Sequence, residues 1–234
     1  MELYMVLFTL GGRLALCASM VRPQAALADV GTDHAYLPVW LAKQGVIKKA
    51  VASDIRPGPL ERAKNNIERY GVGSLVTARL SDGLDEISPE EADDIVIAGM
   101  GGLMMADIIR RAGWLKNSEK RLILQPMTHV EDLRRYLSEQ GFSVLREQAV
   151  LDEGHVYTAM LCAYDPVNSA SGTLFPYIGR LTAETPENRM YLCREMKRLL
   201  NRANGLRLQG DEKGSVELFQ IREQIGAMLT EKNR

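Results

Sequence analysis

Apolar, β-branched runs alternate with helix-like stretches between residue 25 and about residue 165. This alternation is typical of βαβ units, in which helices cover both faces of a mostly parallel sheet. The predicted strands lie at 26–30, 49–53, 75–80, 94–98, 121–125, 143–150 and 156–163, and the predicted helices at 36–44, 57–71, 101–112 and 129–140. Only LDEGH separates the last two strands. Because five residues cannot carry a helical crossover, we expect an antiparallel hairpin there.

The pattern changes near residue 165, where the strand signals end. The stretch DPVNSASG is typical of a linker, and beyond it Thr185 is placed as an N-cap, with Pro186 as the first residue of a helix. Apolar residues then recur in heptad-like steps on both sides of the turn QGDEKG, at Leu192, Met196, Leu199, Ala203 and Leu206, and at Leu218, Ile221, Ile225 and Met228. We therefore expect an α/β domain over residues 1–165 and an antiparallel coiled-coil hairpin over residues 166–234.

Composition and charge argue against several classes of protein. The 234 residues carry a formal net charge of −1, and no run of about 18 apolar residues is long enough to span a membrane. The N-terminal segment lacks a basic start and is interrupted by Arg13, so we interpret it as an amphipathic helix rather than a signal peptide. Cys17, Cys162 and Cys193 form no C-x-x-C pair, and the three histidines are scattered. We expect buried reduced thiols, no metal site and a cytoplasmic protein.

The turn after the first strand, DVGTDHA, is poor in glycine and rich in acid. In open α/β sheets, ligands bind at the carboxyl ends of the strands, and the first βα turn commonly forms the floor of the site. A dinucleotide fingerprint needs three glycines, whereas this turn has only Gly31. Asp29 and Asp33 would also repel a pyrophosphate. The turn therefore disfavours a nicotinamide or flavin dinucleotide.

S-adenosyl-L-methionine suits this turn better, because it has no phosphate and carries an ammonium and a sulfonium. Asp54 ends the second strand, 25 residues after Asp29, at a position where an acid can accept from both ribose hydroxyls. Asp82 follows the third strand and can accept from the exocyclic amine of adenine. The fourth strand ends in AGMGG, where a substrate would meet the methyl group. Strand ends of this kind, in this order, predict a class I methyltransferase.

Five segments together, LADVGTDHAYLP, SDIRPGPLERAKNNI, RLSDGL, DDIVIAGMGG and LILQPM, resemble the TrmK family of bacterial tRNA methyltransferases. The resemblance runs from residue 11 to about residue 163, and the helical C-terminal segment is similar too. The pairing of GTDHAYLP with AGMGG is its most specific feature. The resemblance implies a Rossmann-like domain followed by a coiled-coil domain. It also implies methylation of N1 of adenosine 22 in tRNA, with S-adenosyl-L-methionine as the methyl donor.

N1 of adenine has an in-plane lone pair and no proton to remove, so alignment matters more than a general base. The AGMGG loop has no acid and no aromatic residue and can form a wall where the cofactor and the base approach each other. Asp33 can orient the cofactor or the base, and Gln125 can hold the adenine edge. The candidate catalytic residues are Asp33, Gly99, Met100, Gly101 and Gln125. The candidate cofactor-binding residues are Arg13, Asp29, Gly31, Thr32, His34, Leu37, Asp54, Ile55, Ser81, Asp82, Gly83, Ala98 and Gly99.

Basic residues are concentrated near the C-terminus, where residues 173–234 hold 11 lysines and arginines against 8 acids. This pattern suits either a tRNA-binding surface or an ordinary solvated helix face. The hairpin residues that would contact phosphates are Arg189, Arg194, Lys197, Arg198, Arg202 and Arg207. Further basic residues expected near the mouth of the site are Lys48, Lys49, Arg56, Arg62 and Lys64.

Three other interpretations are compatible with parts of the sequence. One is a class I methyltransferase acting on another RNA or on a small molecule. Another is a non-catalytic RNA-binding protein that keeps a cofactor pocket, which the acids at the strand ends argue against. The third is an NAD-dependent oxidoreductase, which the missing glycines disfavour. The heptad seams could close within one chain or between chains, and we expect a monomer because the intrachain arrangement is simpler.

Overall fold

Seven strands form one sheet in the order β3-β2-β1-β4-β5-β7-β6, in a computed structural model that describes residues 7–169 and 172–230. The strands are β1 (Ala26–Val30), β2 (Lys49–Asp54), β3 (Val76–Leu80), β4 (Asp94–Gly101), β5 (Arg121–Thr128), β6 (Phe142–Asp152) and β7 (His155–Tyr164). The helices are α1 (Gly12–Ala18), α2 (Tyr36–Lys43), α3 (Pro57–Arg69), α4 (Gly102–Arg111), α5 (Val130–Glu139), α6 (Phe175–Ile178), α7 (Pro186–Leu208) and α8 (Glu212–Thr230).

Strands β1 to β5 are parallel, whereas β7 pairs antiparallel with both β5 and β6. The predicted hairpin is confirmed. Asp152 pairs with His155, and the two residues between them, Glu153 and Gly154, both have positive φ, as a two-residue hairpin turn of the favoured hand requires. Of the predicted N-terminal amphipathic helix, Gly12–Ala18 is helical, as α1, whereas residues 7–11 are not; the part of that prediction on residues 1–6 lies outside the described residues.

The central strands are buried on both faces. Ile95 and Ile97 of β4 belong to the apolar cluster beneath α4 and α5, whereas Val96 belongs to the cluster on the opposite face, with Leu27 and Leu41. Alternate residues of a strand point to opposite sides, so an unbroken apolar run fills both layers. The α/β fold predicted from the sequence is confirmed.

Strands β4 and β5 extend further than predicted, to Gly101 and Thr128. The register shifts between Ala98 and Met100, and Gly99, between them, has a φ of +76°. Because of this β-bulge, β4 pairs with β5 again beyond Gly99, and β4 therefore continues past residue 98.

The first long C-terminal helix, α7, begins as predicted, and α7 and α8 together enclose a core shared with the sheet. Thr185 caps α7, its side chain accepting a hydrogen bond from the amide of Asn188 at 3.1 Å. The seam residues of α7 and α8 pack in one cluster with Ala149 of β6 and Val156 of β7. Two expectations needed correction: α8 starts at residue 212, inside the stretch expected to be a turn, and the short helix α6 was not foreseen.

A fully buried ion pair ties the C-terminal part to the sheet. Arg134 of α5 and Glu147 of β6 are both 0% exposed and approach to 2.6 Å. Arg134 also donates to the carbonyl of Tyr177 in α6 and to the hydroxyl of Tyr191 in α7. The charge is thus satisfied only when these four elements are packed together.

The cysteines depart in part from expectation. Cys17 and Cys162 are buried, and burial raises the pKa of the Cys17 thiol to about 12. Cys193 is exposed, because it lies off the apolar seam of α7. Within residues 7–169 and 172–230, no helix is long and apolar enough to cross a membrane, and no group of His, Cys, Asp and Glu is arranged to hold a metal ion.

Candidate active site

A cavity of about 730 Å³ opens at the carboxyl ends of β1 to β4. The chain runs from β1 outward to β2 and β3 and then returns to β4 on the other side of β1, so the cavity lies where the strand order reverses. We call it the crevice; its lining is Val30, Gly31, Asp33, Asp54, Ile55, Arg56, Ser81, Asp82, Gly83, Ala98, Gly99, Met100, Met104, Asp107, Ile108 and Arg111. Its four carboxylates outnumber its two guanidinium groups, as the acid-rich turn led us to expect.

The first turn is held in an uncommon backbone conformation. Gly31, Asp33 and Ala35 have φ values of +72°, +50° and +55°. Non-glycine residues rarely adopt this region, and such strain is concentrated at functional sites. The turn brings Gly31 and Asp33 to the crevice, and Arg62 donates to Asp33 at 3.0 Å.

Asp29 lies beneath the turn rather than on the crevice wall. Its carboxylate accepts from Thr32 Oγ1 at 2.5 Å, and both residues are buried. Burial raises the pKa of Asp29 to about 6, although the bond from Thr32 opposes the rise. Asp29 therefore titrates close to neutrality.

The second and third strands present one acid each. Asp54 is 5% exposed, and its Oδ1 accepts from the backbone amide of Arg56 at 2.9 Å. The loop after β3 is fixed by Ser81, whose hydroxyl donates to the carbonyl of Gly83 at 3.0 Å. Asp82 in this loop accepts from Arg111, which reaches it from the last turn of α4.

The loop after β4 supplies the wall opposite the first turn. The Gly99 amide donates to Gln125 Oε1 at 3.1 Å, and a Cβ built on Gly99 would meet no atom within 4 Å. Gly99 therefore combines a left-handed backbone with open space. The Met100 side chain crosses to Gly31, which leaves no room for a Cβ there. Gly101 lies outside the lining, as the N-cap of α4.

Arg13 is part of a network behind this wall. Its Nε donates to Asp152 at 2.8 Å, and its Nη1 lies 3.4 Å from Gln125 Oε1. Its guanidinium also lies over the Tyr157 ring, 5.0 Å from the centroid. Arg13 and the buried Gln125 therefore act on the crevice through Gly99, rather than by lining it.

The remaining candidate residues stand behind the crevice. Leu37 is buried in the core, and the His34 ring stacks on Tyr36 at 5.2 Å between centroids. Some lining residues were not foreseen from the sequence: Met104, Asp107, Ile108 and Arg111. They lie three or four residues apart along α4 and therefore share one face of the helix. Helical periodicity counted from the AGMGG loop is the sequence signal that could have identified them.

A second cavity of about 700 Å³ lies between α5 and α7, beside the end of β5. We call it the basic groove; its lining includes Arg194, Lys197, Arg198 and Arg202. Glu131 of α5 accepts from Arg198 at 3.0 Å and from Arg202 at 3.1 Å. Burial alone would raise the pKa of Glu131, but the arginines outweigh it and lower this pKa.

Not all the predicted basic residues lie at the mouth of the crevice. Lys48 and Lys49 are at the start of β2, the opposite end from Asp54, so that part of the expectation was wrong. Lys48 pairs with Asp93 at 2.9 Å. Arg56 lines the crevice, and Arg62 holds Asp33 beside it.

Comparison with known proteins agrees with this geometry. Residues 10–160 match a family described as "Methyltransferase domain". The tRNA (adenine(22)-N(1))-methyltransferase of Bacillus subtilis (strain 168) is 33% identical over 179 residues, which are 73% of this chain and 75% of that protein.

Solved structures are similar over nearly the whole chain. The crystal structure of the B. subtilis m1A22 tRNA methyltransferase TrmK has a TM-score of 0.81 at 27% identity, covering 94% of this chain and 99% of that one. A Streptococcus pneumoniae protein in complex with S-adenosyl-L-methionine has a TM-score of 0.78 at 30% identity, covering 91% and 97%. The chain is a methyltransferase, and it belongs to the TrmK family of tRNA (adenine(22)-N(1))-methyltransferases.

Proposed function

We propose that this enzyme transfers a methyl group from S-adenosyl-L-methionine to N1 of adenosine 22 in bacterial tRNA. The observation that carries the proposal is the acid-lined crevice at the switch point, with the open Gly99 bulge as one wall. The B. subtilis relative, a tRNA (adenine(22)-N(1))-methyltransferase, supports the choice of tRNA and of position 22.

The crevice fits the cofactor in size and in chemistry. A volume of about 730 Å³ is ordinary for a cofactor site. Asp54 has one oxygen bonded to the Arg56 amide, which leaves the other for ribose hydroxyls. The carboxylates suit a ligand with an ammonium and a sulfonium, whereas a pyrophosphate would be repelled.

The residues that would hold the cofactor come from the ends of β1, β2 and β3. Gly31 and Asp33 would contact its methionine end, Asp54 its ribose, and Asp82 its adenine. Buried Asp29 would act from beneath, as a counter-charge for the ammonium. When bound, S-adenosyl-L-methionine supplies an electrophilic methyl group, which N1 of the target adenine accepts through its lone pair.

The residues of this chain serve mainly to align the base. Gln125 holds the Gly99 amide through Oε1, so the carbonyls of the bulge have fixed directions. Fixed carbonyl dipoles can stabilise the positive charge that develops on the methylated base. Because N1 carries no proton, no residue is needed to remove one.

Methyl transfer to defined transcripts tests the function. A tRNA transcript with adenosine at position 22 should accept one methyl group, which mass mapping should place on N1 of that residue. A transcript with guanosine at position 22 is the matched control. Transfer to both transcripts, or to a ribosomal RNA fragment instead, would contradict the proposed target.

We propose the basic groove as the tRNA contact surface. Lys197 makes no ion pair with any residue of the described ranges, and Arg202 shares the single carboxylate of Glu131 with Arg135 and Arg198, so the groove keeps positive charge that can meet phosphates. Replacing Lys197 and Arg202 by alanine should weaken tRNA binding and lower the salt dependence by about one counterion for each lost phosphate contact. Lys213 of α8, outside the groove, is the control position. Equal losses from the groove variant and from Lys213→Ala would refute this surface.

In this proposal the enzyme acts as a cytoplasmic monomer. Residues 1–165 bind the cofactor, and residues 166–234 contribute the RNA surface. Point variants test this division better than truncation does, because the helical core includes residues of β6 and β7. Light scattering at working concentration should give the mass of one chain, and a stable dimer would overturn the monomer assignment.

A further inference from the structure

Arg111 holds together three carboxylates at one end of the crevice. Its Nη2 donates to Asp82 Oδ1 at 2.9 Å, its Nη1 donates to Asp85, and its Nε lies 3.3 Å from Asp107. The side chain is 27% exposed, far less than its three partners. One planar fork therefore serves two acids of the loop after β3 and one acid of its own helix.

The loop and the helix are close enough for this contact only because residue 83 is a glycine. A Cβ on Gly83 would lie 3.2 Å from Arg111 Nη2 and 3.0 Å from Ile108. Ser81 braces the same loop from within. The position of Asp82 is thus set by the last turn of α4 as well as by its own strand.

We propose that Arg111 is a positioning residue that fixes the Asp82 carboxylate. The fixed carboxylate accepts a hydrogen bond from the exocyclic amine of the adenosyl group, and the site therefore selects a 6-amino purine over a 6-oxo purine. This inference rests on the function proposed above. Arg111 binds one carboxylate oxygen, Oδ1, and leaves Oδ2 available as an acceptor. A fixed carboxylate accepts from an amine, whereas it repels the carbonyl oxygen of a 6-oxo purine.

The same arginine also compensates the neighbouring charges. Without it, Asp82, Asp85 and Asp107 would face one another. Among the described residues, the cation that would still pair with one of them is Arg110, which contacts Asp107. Asp82 would then be free to turn toward solvent. Ordering it again on ligand binding would weaken the contact by about 3- to 10-fold.

Titration calorimetry with S-adenosyl-L-homocysteine and its deaminated analogue, S-inosyl-L-homocysteine, tests the inference. The unmodified enzyme should prefer the adenosyl compound by about 10- to 100-fold, as for a hydrogen bond to a charged group. Arg111→Met should weaken the affinity for the adenosyl compound by about 5- to 10-fold and change the affinity for the inosyl compound by less than twofold. Arg111→Lys, which keeps a charge but not the fork, should lie between. Arg110→Met is the matched control and should leave both affinities unchanged.

A double-variant comparison shows whether the effect passes through Asp82. In an Asp82→Asn background, adding Arg111→Met should weaken the adenosyl compound by less than a further twofold. Equal weakening of both ligands by Arg111→Met, or its full effect in the Asp82→Asn background, would overturn the inference. Failure of the unmodified enzyme to bind S-adenosyl-L-homocysteine would instead overturn the proposed function, so the two failures are distinguishable. The melting temperature of each variant confirms that the folded protein is being compared.

Discussion

Replacing Arg134 by methionine removes one partner of the buried ion pair that joins α5, β6, α6 and α7. Methionine replaces the arginine side chain as far as Nε and keeps the packing of that part, but the Glu147 carboxylate loses its partner while its side chain stays 0% exposed. Removing one partner of such a pair costs about 3–5 kcal/mol of the free energy of unfolding. For a chain of this size that corresponds to a fall of about 6–20 °C in the melting temperature.

The adjacent residue provides the control. Arg135 pairs with Glu131 at 3.1 Å, and its side chain is 45% exposed. A surface pair of this kind contributes about 0–1 kcal/mol, so Arg135→Met should lower the melting temperature by at most about 4 °C. Differential scanning calorimetry on both variants measures the difference directly.

A third variant separates the destabilisation caused by an unpaired buried charge from that caused by lost contacts. In Arg134→Met with Glu147→Gln, the amide oxygen can accept from the Arg180 amide and the amide nitrogen can donate to the Thr158 hydroxyl, so both contacts are kept and no charge is buried. This double variant should regain at least half of the stability lost by Arg134→Met alone. Equal melting temperatures for Arg134→Met and Arg135→Met would refute the role assigned to the buried pair.

Three further predictions concern the crevice. Gly31→Ala places an alanine in the left-handed backbone region, which costs about 1–2 kcal/mol, and its Cβ pushes the Met100 methyl group into the crevice. Titration calorimetry should therefore show at least about 10-fold weaker cofactor binding, and an unchanged affinity would contradict the assignment of the crevice as the cofactor site. Asp29 has a folded-state pKa of about 6, above its ordinary 3.8, so the folded chain holds a proton that the unfolded chain releases, and the contribution of Asp29 to the free energy of unfolding should fall by about 2 kcal/mol as pH rises from 4 to 6. Urea unfolding of the unmodified enzyme and of Asp29→Asn should show this change as the difference between their two pH curves; parallel curves would argue against it. Gln125→Leu removes the acceptor for the Gly99 amide, so kcat should fall by about 5- to 100-fold while the cofactor affinity stays within about threefold. A loss confined to cofactor affinity would show that the Gln125 side chain does not align the base.

The sequence predicted the sheet, its hairpin and the C-terminal helices because each leaves a periodic apolar signal. It did not predict the extension of β4, because AGMGG is typical of a loop, and only the backbone shows that the register shifts at Gly99 and again between Met100 and Gly101. The helix α6 was missed because FPYI is a short apolar run without a readable period.

The candidate site was predictable where a residue directly ends a strand. Asp54 ends β2, Gly31 and Asp82 follow β1 and β3 within two residues, and all three line the crevice. Arg13 and Arg111 depend on contacts between elements far apart in the chain, 139 residues apart for Arg13 and Asp152. Side-chain pairings at such separations leave no pattern in a single sequence.

The shared core of α7, α8, β6 and β7 limits how members of this family can exchange parts. Asn188 of α7 accepts from the Ala149 amide of β6 at 2.9 Å, so the helix completes a hydrogen bond that the edge strand would otherwise leave open. A chimaera that took only its helices from a relative would lose this bond and mismatch the Ala149–Val156 surface. The transferable module therefore begins at His129, ahead of α5, so that Arg134 stays with Glu147 and Tyr191, and recombination at that point should yield hybrid enzymes that fold.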